Sequence, residues 1–330
     1  KVYRGERAQK GRFREFYQAD IDIIGDGKLD IINDAEIPSI IYTTFKELGF
    51  DNFTIRINNR KILNGLYRSL NLEETSVEIM RIIDKLEKIG QENVKQMLLD
   101  IGVSDDKISK IIEFISITGS NDEKISTLKS LGIEDELFNE GVEELEKVIK
   151  YIRLFDVPEK NFMVDLTIAR GLDYYTGTVY ETFLNDYRQI GSVCSGGRYD
   201  NLAEYYTDKP LPGVGISIGL TRLFDQLIEL QAIKVDKNSI SDVLVISMSD
   251  DIQECLPVAN AFRTAGINTQ VYMNNKKIQA KFKYADKLKI PFVAIIGENE
   301  VKNSTVSLKN MSTGEQVEVS IEEAIRILKK

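Results

Sequence analysis

The chain has 330 residues, 42% of them hydrophobic and 29% charged. That balance excludes a wholly disordered or collagen-like chain, and the length suggests two or three domains. Histidine is absent and cysteine occurs twice, at Cys194 and Cys255, which removes His-based triads, His general bases, zinc sites and a disulfide framework.

No apolar run reaches the ~18 residues of a membrane span. The two thiols are expected to be reduced and buried. The net charge is −9 and is unevenly placed: residues 71–150 carry 10 basic and 19 acidic side chains, and residues 241–330 carry 12 and 11. The global acidity therefore leaves room for an RNA partner.

In chain order, residues 1–26 read as a hairpin. A basic loop precedes a run at 16–24 whose apolar and polar residues alternate, as in a half-buried strand. Ile37, Ile40, Ile41 and Phe45 then keep helical spacing. Asp34 stands as an acid in the first turn, and Gly49 is the expected stop. Residues 53–57 form a short strand.

Residues 71–155 change character. Helical stripes appear at Ile79–Ile82–Ile83–Leu86–Ile89, at Ile108–Ile111–Ile112–Ile115, and at Leu145–Val148–Ile149–Ile152. Ser104 is the expected N-cap of the second. This reads as an acidic helical insertion in a β-rich domain. Residues 162–220 return to Tyr, Thr and Val with glycines, which fits an antiparallel sheet, and a helix is expected to begin near Gly219.

Residues 231–241 are polar and aperiodic and read as a linker. From 242 the order strand, helix, strand, helix, strand, hairpin, helix predicts a parallel or mixed α/β sheet.

Five clusters stand out as possible chemistry. Arg4, Glu6, Arg12, Arg14, Gln18 and Asp22 can share one face of the hairpin, and arginines gathered there call for an anion. The segment 169–177, ARGLDYYTG, sets Arg170, Asp173, Tyr174 and Tyr175 between glycines that let backbone approach a ligand. In 195–200, SGGRYD, Arg198 can meet either Asp200 or an anion. Residues 213–222 form a glycine-rich strand leading to Arg222 at a helix start, matching neither the dinucleotide fingerprint nor a P-loop. Around 276–289, six lysines crowd one helix, which suits either a solvated face or contact with a phosphate backbone.

Together these segments resemble the histidyl-tRNA synthetases, which are class II aminoacyl-tRNA synthetases. YRGERAQKGRFREFYQ (3–18) is similar to class II motif 2, and GVGISIGLTRL (213–223) to motif 3. ARGLDYYTG and SGGRYD resemble the two histidyl signatures. The resemblance covers essentially the whole chain. It implies an α+β fold: a class II antiparallel-sheet catalytic core at 1–70 and 156–230, a helical insertion at 71–155, and an α/β anticodon-binding domain at 242–330. The chain starts almost inside motif 2, so the resemblance also implies that the core's N-terminal part, with the dimer-forming motif 1, is missing here.

The implied activity is histidine–tRNA ligation, with L-histidine, ATP (accompanied by Mg2+) and tRNA(His) as partners, in a cytoplasmic homodimer with no membrane. The implied ATP-binding residues are Arg4, Glu6, Arg12, Phe16 and Arg222. Arg4 and Arg170 would be catalytic at the α-phosphate. Gln18, Asp22, Arg170, Tyr174 and Tyr175 would hold histidine, with Asp22 and Tyr175 on the imidazole. Lys276, Lys277, Lys281 and Lys283 are the candidate tRNA contacts, and no resident metal is expected. The weighed alternative is a non-catalytic paralogue, such as the regulatory subunit of ATP phosphoribosyltransferase, although such paralogues generally lack the last domain and erode the signatures.

Overall fold

A computed structural model describes residues 1–5, 7, 13–168, 174–233 and 239–329. It divides into two compact units, Lys1–Leu230 and Gln231–Lys330.

The first unit opens with the short antiparallel pair β1 (Val2–Tyr3) and β2 (Glu15–Phe16). β3 (Ala19–Ile24) follows after a break at Tyr17 and Gln18. The single strand expected at 16–24 is therefore two pieces. Thr221 accounts for the break: its Oγ1 accepts the Tyr17 N–H at 2.8 Å, and its own N–H donates to the Tyr17 carbonyl at 3.3 Å. Those are backbone groups that a continuous ladder would otherwise use.

Next come α1 (Ile32–Glu47), β4 (Phe53–Asn59) and α2 (Arg60–Ser69). Six helices follow: α3 (Ser76–Ile83), α4 (Leu86–Ile89), α5 (Gln91–Asp100), α6 (Asp105–Ile115), α7 (Asn121–Ser130) and α8 (Glu136–Leu154). The chain then returns to strands β5 (Phe162–Val164), β6 (Thr178–Leu184), β7 (Cys194–Tyr199) and β8 (Gly213–Ile218), and ends the unit with α9 (Leu220–Glu229).

Six strands form one sheet in the order β3-β8-β7-β6-β4-β5, antiparallel except for β4–β5. The register sets Asp20, Ser217, Ser195, Glu181 and Arg56 in one polar row across five strands. Ile55, Ile57 and Val214, of opposite parity, are fully buried. One face is thus core and the other is built to meet something polar.

α8 packs against α2 and α1. The α2–α8 crossing is close because it uses glycines: a Cβ at Gly65 would lie 2.5 Å from the Phe138 nitrogen, and one at Gly141 would lie 2.8 Å from the Ile62 nitrogen. The α8 N-cap is Asp135, which accepts the Phe138 N–H at 3.0 Å. Ser104 does occupy the N-cap position of α6, but its hydroxyl makes no cap hydrogen bond. Ser120 and Glu123 form a reciprocal capping box at the start of α7.

The first-turn acid of α1 has a different role from the expected one. Asp34 is fully buried and pairs with Arg198. A solvated dipole-compensating carboxylate would face water instead.

The second unit carries β9 (Val243–Ser247), α10 (Cys255–Thr264), β10 (Thr269–Val271), α11 (Ile278–Lys287), β11 (Phe292–Ile296), α12 (Glu298–Asn303), β12 (Thr305–Asn310), β13 (Gln316–Ser320) and α13 (Ile321–Leu328). Its sheet runs β10-β9-β11-β12-β13, with the first three strands parallel and the rest antiparallel. Val243 and Val245 pack into one apolar cluster and Leu244 and Ile246 into another. This is why β9 reads as an unbroken apolar run: a parallel strand is covered on both faces. Both cysteines are free and buried, and burial pushes the thiols of Cys194 and Cys255 up to about 12 and about 11.

Candidate active site

A cavity of about 600 Å3 opens on the polar face of the six-stranded sheet. Arg4 and Phe16 reach it from the β1–β2 pair, and Arg222 from the first turn of α9. The Arg4 guanidinium lies 5.4 Å from the Phe16 ring centroid, a cation–π distance. The Arg4 backbone N–H is held by the Arg14 carbonyl at 2.9 Å. Arg222 donates from Nη2 to the Ile190 carbonyl. Both arginines are therefore oriented by the protein itself.

Gln18, Asp22, Tyr174 and Tyr175 line the same cavity. Gln18 donates from Nε2 to Ser217 Oγ, which ties its amide to β8. Asp22 accepts from the Tyr199 hydroxyl at 2.6 Å. The Tyr174 ring stands edge-on to Tyr175 at 4.9 Å and to Tyr199 at 6.0 Å.

Burial, followed by neighbouring phenols and Asp22, raises the Tyr175 hydroxyl well above its ordinary value. Burial and the hydrogen bond to Asp22 do the same for Tyr199. At neutral pH these are protonated donors.

Glycines make this arrangement possible. A Cβ at Gly215 would fall on Asp22 Oδ1 and the Ile21 carbonyl, and one at Gly213 would fall in the Tyr199 ring. One at Gly197 would stand 3.0 Å from Tyr175 Cδ1 and 2.7 Å from the Thr178 carbonyl. The glycine-rich strands β7 and β8 are thus the floor over which the aromatic and acidic groups lie.

Arg198, left open by the sequence, is 6% exposed and meets carboxylates of this chain. Its Nη2 donates to Asp34 Oδ1 at 2.7 Å and its Nη1 to Asp200 Oδ1 at 3.3 Å. Nη2 also reaches the Leu29 and Asp30 carbonyls, at 3.1 and 3.3 Å. Burial disfavours its charge, but Asp34 and Asp200 more than restore it and raise the guanidinium above its usual range. Burial likewise raises the Asp34 carboxyl, opposed by hydrogen bonds from the same guanidinium.

Of the residues singled out from sequence, Arg4, Phe16, Gln18, Asp22, Tyr174, Tyr175 and Arg222 come together at one cavity. Glu6, Arg12 and Arg170 lie outside the described residues. Tyr199 and Ser217 were not foreseen as site residues, although both sit inside motifs already marked. The period of two along β7 places Tyr199 on the face of Ser195 and Gly197, and that is the signal that would have found it.

In the second unit Lys276, Lys277 and Lys283 are exposed. Lys281 departs from the expected solvent-facing contact. It is 4% exposed, and its Nζ donates to the Ser247 carbonyl at 2.7 Å, because its place on α11 turns it toward the end of β9 rather than outward. Among the described residues no group of three or more Cys, Asp or Glu side chains is placed to hold a metal ion. No helix among them is long and apolar enough to cross a membrane.

The sequence model of the family described as "Histidyl-tRNA synthetase" matches residues 1–223. The chain belongs to the histidyl-tRNA synthetase family. A model described as "Anticodon binding domain" matches residues 242–330. The histidine–tRNA ligase of Clostridium tetani is 61% identical over 330 residues, covering 100% of this chain and 75% of that protein.

The crystal structure of the histidyl-tRNA synthetase from Nostoc sp. PCC 7120 superposes with a TM-score of 0.80 at 43% identity, over 99% of this chain and 76% of that one. A structure described as an ATP phosphoribosyltransferase regulatory subunit/histidyl-tRNA synthetase from Bacillus halodurans shares the fold, with a TM-score of 0.65 at 22% identity over 90% of this chain and 71% of that one. The class II histidyl-tRNA synthetase architecture expected from the motifs is thus the observed one, and the enzymatic branch of the family is favoured over the regulatory one.

Proposed function

We propose that the protein is a histidine–tRNA ligase working from the cavity above β3, β8 and β7. The observation that carries this reading is the pairing, in one cavity, of cationic groups with a polar aromatic pocket. Arg4 and Arg222 suit an anionic nucleotide, and Asp22, Tyr199 and Tyr175 suit an imidazole.

In this reading the histidine carboxylate oxygen attacks the α-phosphorus of ATP. A new P–O bond forms as the bond to the bridging oxygen of pyrophosphate breaks. Negative charge gathers on the α-phosphate, and Arg4, with Arg170 implied by the motif, stabilises it. Arg222 and Arg12 would hold the γ-phosphate end, Glu6 would read the adenine amino group, and Phe16 would stack on the base.

Gln18 would orient the amino acid's backbone groups. A carboxylate is already a nucleophile at neutral pH, so no general base is required and a chain without histidine can run the step. Holding both anions side by side supplies proximity. In the second step a ribose hydroxyl at the tRNA 3′ end attacks the activated carbonyl; the ester C–O bond forms as the bond to the AMP phosphate oxygen breaks, and the hydroxyl proton passes to the departing phosphate.

Magnesium would arrive with ATP as counter-charge to its phosphates. The helices of 71–155 would form the insertion, residues 242–330 would read the anticodon, and exposed Lys276, Lys277 and Lys283 would meet the tRNA backbone. The working form in this reading is a cytoplasmic homodimer.

Imidazole recognition follows from unpaired-group logic. An apolar isostere would offer no donor to the Asp22 carboxylate lone pairs that the Tyr199 hydroxyl does not already occupy, and an unmet buried acceptor of that kind can reject a ligand by about 10⁴-fold. The test is ATP–pyrophosphate exchange with each amino acid in turn. Exchange with histidine alone is expected. A folded protein that exchanges with no amino acid would instead act as a non-catalytic paralogue.

A further inference from the structure

The Tyr174–Tyr175 pair lies within the ARGLDYYTG signature, and its next residue is Thr176. Thr176 is bound on both its backbone and its side chain. Its N–H donates to the Arg198 carbonyl at 2.8 Å. Its hydroxyl donates to Asp200 Oδ2 at 2.5 Å and accepts the Asp200 N–H at 3.2 Å. Asp200 is held in turn by Arg198 Nη1, and Arg198 is anchored on buried Asp34.

The residue after Thr176 is equally confined. The Gly177 carbonyl accepts the Arg60 N–H at 2.9 Å, and a Cβ at Gly177 would stand 2.9 Å from Arg198 Cδ. On the other side of Thr176, the Tyr175 ring lies over Gly197 and touches Tyr174, which stands edge-on to Tyr199, the donor to Asp22. A path of direct contacts thus runs from a buried ion pair, through one hydroxyl, to the aromatic wall of the cavity.

We propose that Thr176 is a positioning residue for amino-acid recognition: through Asp200 and Arg198 it holds the Tyr174–Tyr175 pair at the spacing the imidazole requires. This rests on the reading of the cavity as a histidine site. Thr176 does not itself line the cavity, so it acts through the tyrosines. Arg198 is correspondingly an anchor, with its fork turned to Asp34 and Asp200 and away from any substrate anion. A charge-assisted hydrogen bond from a short β-branched side chain leaves little freedom to the residues beside it.

The test is histidine-dependent ATP–pyrophosphate exchange by the whole protein and its Thr176→Val, Thr176→Ser and Asp200→Ala variants. Valine keeps the volume and removes the hydroxyl. Thr176→Val is expected to raise KM for histidine about tenfold, the scale of a lost hydrogen bond to a charged group. KM for ATP and kcat should stay within about twofold, since uniform binding of one substrate is what is lost. Thr176→Ser should restore the wild-type KM. Asp200→Ala cuts the same link from a part-exposed carboxylate and should give the same split, deciding the matter if the valine variant does not fold.

An unchanged histidine KM in folded Thr176→Val, an equal rise in both KM values, or no rescue by serine overturns the proposal while leaving the synthetase reading intact. Absence of histidine-dependent exchange in the wild-type protein overturns that reading, and this proposal with it.

Discussion

Tyr199 on β7 hydrogen-bonds Asp22 on β3 although β8 runs between their strands. The contact exists because β8 presents Gly213 and Gly215 at that point, opposite Tyr199 and Asp22 respectively. The two side chains meet over a bare stretch of backbone. A carboxylate oriented by a phenol at 2.6 Å is a preorganised acceptor for one ring N–H of an imidazole.

Tyr199→Phe should therefore weaken histidine binding without touching the nucleotide. Losing one charge-assisted hydrogen bond costs about 1–3 kcal/mol, or roughly 5- to 150-fold in KM for histidine. Asp22→Ala should cost at least as much. Steady-state exchange with histidine and ATP varied separately checks both. Equal effects on the two KM values would contradict this assignment.

Gly215→Ala should be far worse than a methyl group suggests. The added carbon meets a backbone carbonyl and a carboxylate rather than the end of a flexible chain. Either β3 shifts away from β8 or Asp22 leaves its place. The expected outcome is a lower Tm together with loss of histidine-dependent exchange. Thermal unfolding and exchange on the same preparation will show whether the two losses travel together.

The lysines of 276–283 should separate into two kinds. Lys276→Ala and Lys277→Ala, at exposed positions, should leave Tm unchanged. Each should weaken tRNA binding and reduce the salt slope by about one. Lys281→Ala removes a buried hydrogen bond to Ser247. It should lower the stability of the second unit by about 1–3 kcal/mol and leave the salt slope unchanged. Binding titrations at several salt concentrations, paired with melting curves, distinguish the groups.

Arg153 binds Glu159 at 2.8 Å and Asp122 at 2.9 Å. Its hydrogen bond is the largest influence on Glu159, whose carboxyl it holds below the usual range. A carboxyl depressed in the folded state adds stability above its unfolded value, about 4.3. That stability fades as pH falls through the folded value. Glu159→Gln should therefore melt below wild type at pH 7, with the gap closing in acid below about pH 4. A gap independent of pH would rule this linkage out.

Legibility from sequence followed the range of the interactions. The α9 start after Gly219, the stop at Gly49 with its φ of +85°, and the α/β order of the second unit are set by neighbours a few residues apart, and periodicity reports them. The break at Tyr17–Gln18 was hidden because Thr221, 204 residues away, holds the Tyr17 backbone. Asp34 looked like an ordinary first-turn acid because nothing local shows that Arg198 will reach it. Lys281 looked like its exposed neighbours because helical spacing alone does not say where β9 ends.

The residue types of the site, their order in the chain and their family are readable without a fold. These are carried by short motifs whose glycines, arginines and tyrosines are constrained by local backbone and by the chemistry of anions and imidazoles. Which of those residues face the cavity and which brace it is set by long-range packing. Arg198 and Tyr199 are adjacent in one motif, yet one is buried on Asp34 and the other binds Asp22 at the cavity. Neighbours along a strand point to opposite faces, and only the register of the sheet and the helix beneath it assign each face its partner.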